Sequence, residues 1–210
     1  MRQATCVVGI ILAVMAVSVV ASAAEEGWVP LFNGKDLTGW QNARNAAGEN
    51  KWAVEDGALT NVATGHDGND IGTAGTFKDF ELKLEYKTVK DGNSGVYLRG
   101  RVEIQVLDSF GKNPPGKGDD GAIYDQFPPK ENASKPVGEW NALEVSYVGD
   151  VVNAKLNGKV IQDKQQVVKV TGGALPGGVN EAGSLMLQGN HGKVWYRNIM
   201  IKSLDKKAAK

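Results

Sequence analysis

Cysteine is almost missing from this chain: Cys6 is the only one in 210 residues. One thiol permits neither an intrachain disulfide nor a cysteine-based zinc site. Cys6 also lies inside an N-terminal apolar run, so thiol catalysis is excluded. Charge of one sign is missing too. The 24 basic and 24 acidic residues cancel to a net charge of zero, which gives nucleic acid or an anionic membrane no field to follow. Nor is there a Gly-x-x-x-x-Gly-Lys-Ser/Thr loop, a Gly-x-Gly-x-x-Gly after a strand, a Gly-x-Ser-x-Gly elbow or a His-Glu-x-x-His pair. These gaps remove the usual support for a nucleotide cofactor, for serine hydrolysis and for zinc proteolysis.

The one long hydrophobic run is at the start. Arg2 leads into apolar residues from Cys6 to Val20, interrupted only by Gly9 and Ser18, and Ala21-Ser22-Ala23 follows. A positive start, an apolar stretch and a small-x-small site are the three parts of a secretory signal peptide. Residues 1–23 are expected to be removed near Ala23, leaving a secreted or periplasmic chain; an uncleaved anchor is the alternative. The run falls short of the ~20 apolar residues that a membrane span needs, so the mature chain is expected to have no span. Residues 24–210, in a chain that is 41% hydrophobic, suffice for one domain with a real core.

Turns punctuate that domain. Asn33-Gly34, Asp56-Gly57, Asp91-Gly92, Asn157-Gly158 and the Gly172-Gly173 and Gly177-Gly178 pairs separate short alternating or apolar runs, and no long segment has helical period. This predicts an all-β sandwich of antiparallel sheets. Phe80 to Lys87 alternates, with Phe80, Leu82, Leu84 and Tyr86 inward. Trp140 to Val148 reads as a strand, and Val151 to Ile161 as a hairpin closed at Asn157-Gly158. Gly183 to Gln188 and Lys193 to Ser203 complete the set. Gly111 to Pro136 is instead rich in Gly, Pro, Asn and Asp, with Ala122-Ile123-Tyr124 as its only strand-like fragment; so long a loop is functional or mobile.

Asn93 to Asp108, read as one extended stretch, puts Val96, Leu98, Val102, Ile104 and Val106 on one face. Tyr97, Arg99, Arg101, Glu103 and Gln105 fall on the other. That polar face is either solvated or a site offering fixed donors and acceptors to sugar hydroxyls. Asp108 has the opposite parity from Glu103, so the two do not make the carboxyl pair of an ordinary glycosidase, whose members stand ~5–10 Å apart. His191, between glycines after Gln188, is a base, a metal ligand or a turn residue. Tyr97, Tyr124 and one or two of the five tryptophans are candidates to stack on a sugar. His66-Asp67-Gly68-Asn69-Asp70 has the composition of a metal loop but reads more simply as a polar turn.

Several blocks, taken in order, resemble the secreted 3-keto-disaccharide hydrolase domain family over about residues 28 to 204. They are Leu31-Phe-Asn-Gly-Lys-Asp-Leu-Thr-Gly-Trp40, Trp52-Ala-Val-Glu-Asp-Gly57, Asp79-Phe-Glu-Leu82, Asn93-Ser-Gly-Val-Tyr-Leu-Arg-Gly100, Glu103-Ile-Gln-Val-Leu-Asp108, Gly121-Ala-Ile-Tyr124, Gly138-Glu-Trp-Asn141, Asn157-Gly158 and Arg197-Asn-Ile199. The resemblance implies a concanavalin A-like jelly roll with a concave ligand face, and a carbohydrate partner already oxidised at C3 of the sugar. A C3 ketone acidifies the C2 proton, so one base suffices to start elimination of the C1 substituent, and water then completes a net hydrolysis. It further implies Glu103 or His191 as that base, and Arg99, a divalent metal ion or both as the electrostatic partner of the enolate. Gln105, Gln188, Tyr97 and Arg101 become substrate contacts, and Tyr124 a cap. A noncatalytic carbohydrate-binding module on the same fold is the alternative.

Overall fold

Phe80 to Thr88 alternates buried and half-buried residues without a break, the pattern of a strand with one face on a core. The structure, a computed structural model, describes residues 26–62 and 67–205; the expected signal peptide, His66 and the C-terminal tail lie outside them. Thirteen strands follow one another among the described residues: β1 (Val29–Pro30), β2 (Trp40–Asn42), β3 (Trp52–Glu55), β4 (Ala58–Asn61), β5 (Ile71–Thr73), β6 (Phe80–Thr88), β7 (Asn93–Leu98), β8 (Val102–Leu107), β9 (Asn141–Val148), β10 (Val151–Leu156), β11 (Lys159–Gln166), β12 (Met186–Leu187) and β13 (Val194–Ser203).

Every ladder between them is antiparallel. One sheet runs β11-β10-β9-β6-β13-β4-β3, with β1 beside β13, and the second runs β2-β5-β12-β7-β8. The expected all-β jelly-roll sandwich is therefore the fold. Its core is filled by Leu82, Leu84, Leu143 and Val145 from the larger sheet and by Val96, Leu98, Ile104 and Val106 from the smaller. Each such side chain contributes about 1.5–3 kcal/mol by leaving water. The β10–β11 hairpin closes at Asn157-Gly158 with φ of 52° and 82°, the left-handed pair that a two-residue hairpin turn requires. No helix among the described residues is long and apolar enough to cross a membrane.

Asn93 to Asp108 is not one stretch. It folds back on itself as the β7–β8 hairpin, with Leu98 paired to Val102 and Asn93 to Leu107. Arg99 and Gly100 form the bend at φ of 55° and 69°. A turn removes its residues from the alternation of a sheet, so Arg99 and Arg101 leave the face that Tyr97, Glu103 and Gln105 share. Asp108, at the far end of the hairpin, accepts a hydrogen bond from the Asp91 amide at 3.0 Å and closes the β6–β7 bend.

Tyr97, Glu103 and Gln105 on the polar face of the hairpin are buried, and two loops pack along its edge and its bend. Ala122 O accepts from Gln105 N at 2.9 Å, and Tyr124 N donates to Glu103 O at 3.1 Å, so the fragment in the long loop runs along β8 and covers its edge. Asp120 anchors the same loop: its carboxylate accepts from Tyr86 Oη and Ser134 Oγ, each at 2.6 Å, and from Leu107 N at 3.0 Å. The second cover is the segment between β11 and β12. Thr171 N donates to Arg101 O at 2.9 Å and Leu175 N to Gly100 O at 2.8 Å.

Candidate active site

Glu103 stands directly across from Tyr97 in the β7–β8 ladder, and Gln105 across from Gly95. Their side chains point away from the core, under the loops, and Glu103 is only 3% exposed. A Cβ on Gly95 would stand 2.8 Å from Glu103 Cγ and Cδ, so a glycine there leaves the notch that the carboxyl fills. Burial pushes the Glu103 carboxyl up to about 8; the neighbouring Tyr97 hydroxyl works against this and the charge of Asp70 adds to it. A carboxyl poised near neutrality exchanges its proton at working pH, the property a general base needs.

A cavity of about 510 Å³ opens over this carboxyl. It gathers Glu103, Tyr97, Gln105, Gln188, Tyr124 and His191, all expected from the sequence. The Tyr97 hydroxyl donates to Gly172 O at 2.7 Å and accepts from Gln188 Nε2 at 3.4 Å. Gln188 Oε1 is buried with no hydrogen-bond partner among the described residues. One end of the Gln105 amide lies 3.3 Å from Asn93 Oδ1 and the other 3.1 Å from Glu103 Oε1. Tyr124 reaches the cavity from the long loop as an exposed side chain, and His191 stands at the open rim with Nδ1 2.5 Å from Asn190 Oδ1.

Arg99 and Arg101 do not join them, which corrects both expectations. The Arg99 guanidinium is fully buried against the Tyr147 ring, 3.6 Å from its centroid. It donates to Gly149 O at 2.9 Å and Val179 O at 2.8 Å, to Lys78 O, and to Asp79 Oδ1 at 3.1 Å. Arg101 donates to Pro176 O at 2.8 Å, Arg99 O at 3.0 Å, and Glu181 O and Ala182 O at 3.2 Å. Both cations satisfy backbone carbonyls of the covering segment and tie it to the sandwich.

The positive group that does line the cavity is Arg44, which the sequence reading missed. Its Nε and Nη2 both approach Asp70 Oδ2, at 3.2 and 3.0 Å, and Nη2 also donates to Gly173 O. Asp70 is buried beneath it and accepts from Gly189 N at 3.3 Å. Asp70 thus belongs to the site as a holder of Arg44, not to a metal loop. Among the described residues no three His, Cys, Asp or Glu side chains cluster in a way that could hold a metal ion. Among the described residues the donor set does not fit the expected divalent ion.

Comparison with known proteins places the chain by family and by fold. Residues 27–202 match the family model of the 3-keto-alpha-glucoside-1,2-lyase-like domain. A 3-keto-disaccharide hydrolase of Bacteroides thetaiotaomicron is 30% identical, over 86% of this chain and 79% of that protein. A solved structure from Parabacteroides distasonis, named as a candidate glycosyl hydrolase, is 30% identical with a TM-score of 0.71, covering 85% of this chain and 84% of its own. The carbohydrate recognition domain of Emp47p, 14% identical with a TM-score of 0.50 over 84% of this chain and 95% of its own, shares the fold alone. With the matched model spanning nearly all described residues and the sandwich and its Glu103 cavity in place, the chain belongs to the 3-keto-alpha-glucoside-1,2-lyase-like domain family.

Proposed function

We propose that this protein cleaves 3-keto-glycosides by elimination followed by hydration, with Glu103 as the base. The observation that carries the reading is one buried carboxyl, poised near neutrality, in a cavity lined by hydrogen-bonding side chains. A glycosidase acting on an unoxidised sugar needs two carboxyls flanking one bond. Here the second carboxyl in the cavity, Asp70, is committed to Arg44 and to the Gly189 amide.

Glu103 takes the C2 proton of the bound 3-keto sugar, and the C2–H electron pair moves to form the enolate, with negative charge on the C3 oxygen. Collapse of the enolate re-forms the ketone, makes the C1–C2 double bond and expels the C1 substituent, which leaves with a proton as the free alcohol. Water then adds at C1 of the enone while C2 regains a proton, giving the 3-keto sugar. Negative charge develops on the C3 oxygen and then on the departing oxygen. Arg44 is the positive group in the cavity able to meet it, and His191 brings a ring nitrogen to the same cavity. Gln105 and Gln188 offer amides, and Tyr124 an exposed ring, to hold the sugar.

Incubation with a 3-keto aryl glucoside tests the reading directly. The expected result is release of the phenol by the wild type and a loss of at least about a hundredfold for Glu103→Gln, the usual scale of a general base. Phenol release from the unoxidised glucoside instead, or undiminished turnover by Glu103→Gln, would overturn it. Binding without any product would favour the carbohydrate-binding module.

A further inference from the structure

A second cavity of about 270 Å³ opens on the same face of the five-stranded sheet. One cross-strand row, Gln41–Gly72–Met186–Tyr97–Glu103, runs through all five strands and connects the two. Paired residues share a face, so Gln41 at one end and Glu103 at the other point the same way. With neighbouring strands ~4.8 Å apart, the backbone at Gly72 lies three strands, or ~14 Å, from that at Glu103. Between the cavities stand buried Met186 and the Gly172–Pro176 turn, with the half-exposed Arg44 guanidinium reaching Gly173 O.

Three side chains lining the second cavity, Gln41, Thr76 and Ser184, make no hydrogen bond to other described residues. One amide and two hydroxyls supply both donors and acceptors, as sugar hydroxyls require. Gly72 keeps the floor low: a Cβ there would come within 3.3 Å of Ser184 Oγ and Ala43 Cβ. The wall is rigid, because Arg101 holds the carbonyls of Pro176, Glu181 and Ala182. Fixing a wall explains the arginine; it does not explain an open set of uncommitted polar groups beside it.

We propose that this second cavity seats a distal sugar of the leaving group, so that the preferred substrates are 3-keto-glycosides whose leaving group is longer than one ring. The proposal rests on the cleavage reading above for what the leaving group is. The separation across three strands is more than a single ring attached at C1 spans, and the chain of the ligand crosses over Arg44. That placement assigns Arg44 to the departing oxygen and leaves His191 for the C3 oxygen.

Two measurements keep the subsite and the reaction apart. Titration of the labelled protein with unoxidised maltose, followed by amide chemical shifts, should move Gln41, Gly72, Thr76 and Ser184. Shifts absent there at tens of millimolar sugar would overturn the proposal, and this holds even if the wild type cleaves nothing, in which case it is the cleavage reading that fails. For a cleaving enzyme, the ratio of kcat/KM for 3-keto-maltotriose to that for 3-keto-maltose, both oxidised on the non-reducing ring, should exceed one. Gln41→Ala with Ser184→Ala should lower the ratio about five- to tenfold, the worth of one or two hydrogen bonds. The bulky Ser184→Tyr should lower it further, whereas a ratio unchanged in both variants would overturn the proposal.

Discussion

Between pH 4.5 and about 8 the folded protein holds a proton on Glu103 that the unfolded chain has already released. The native state binds the extra proton in that window, so stability falls as pH rises through it, and is flat below the ordinary carboxyl value and above the raised one. Glu103→Gln removes this slope. Denaturant midpoints should show the variant more stable than wild type by on the order of a few kcal/mol at pH 8.5, and equal to it near pH 4. Activity should move the other way: wild-type kcat/KM should rise tenfold per pH unit on the acid side and level off near pH 8, as the base loses its proton. Both profiles come from one residue that was legible in the sequence. Glu103, Gln105 and Tyr97 keep their parity across the hairpin because the pairing Leu98 to Val102 preserves it. Arg44 and Asp70 were not legible, because they sit 26 residues apart and only the pairing of β2 with β5 brings them together. Each taken alone is an ordinary polar residue beside a turn.

The hairpins announced themselves because their signals are local. Asp56-Gly57 and Asn157-Gly158 both sit at left-handed φ between paired strands, as the dipeptides suggest. The β7–β8 bend had no such signal: an arginine rarely takes a φ of 55°, so Leu98-Arg99-Gly100-Arg101 looked like continuing strand. What holds Arg99 in that conformation is non-local, four backbone carbonyls and one carboxylate drawn from other segments. Arg99→Met should therefore leave those carbonyls unpaired and destabilise the fold by about 3–5 kcal/mol, measured by denaturant unfolding. The role first expected of it, as an electrostatic partner in the site, would instead give an inactive variant of unchanged stability. Composition alone marks the long loop as functional or mobile. It sets Tyr124 over the cavity and is held by the buried Asp120.

At the scale of the whole molecule, alternation and turn residues carried the two-sheet architecture, because a sandwich is built from elements that each declare an inner face. Sheet order and loop placement depend on which strands meet across the sequence, and no short pattern encodes that. The N-terminal reading is open to a direct check. Expression of the full chain with export should yield a mature protein beginning at Ala24, read by N-terminal sequencing, whereas an uncleaved chain would retain Met1. The Arg99 joint belongs to this scale as well. Its acceptors come from Lys78 and Asp79, from Tyr147 and Gly149, and finally from Val179. That shell is complete only when the chain is present as far as residue 179. The joint therefore ties three separated stretches of the chain at one buried point, so that a chain cut short of Val179 would leave the guanidinium one acceptor short under Tyr147.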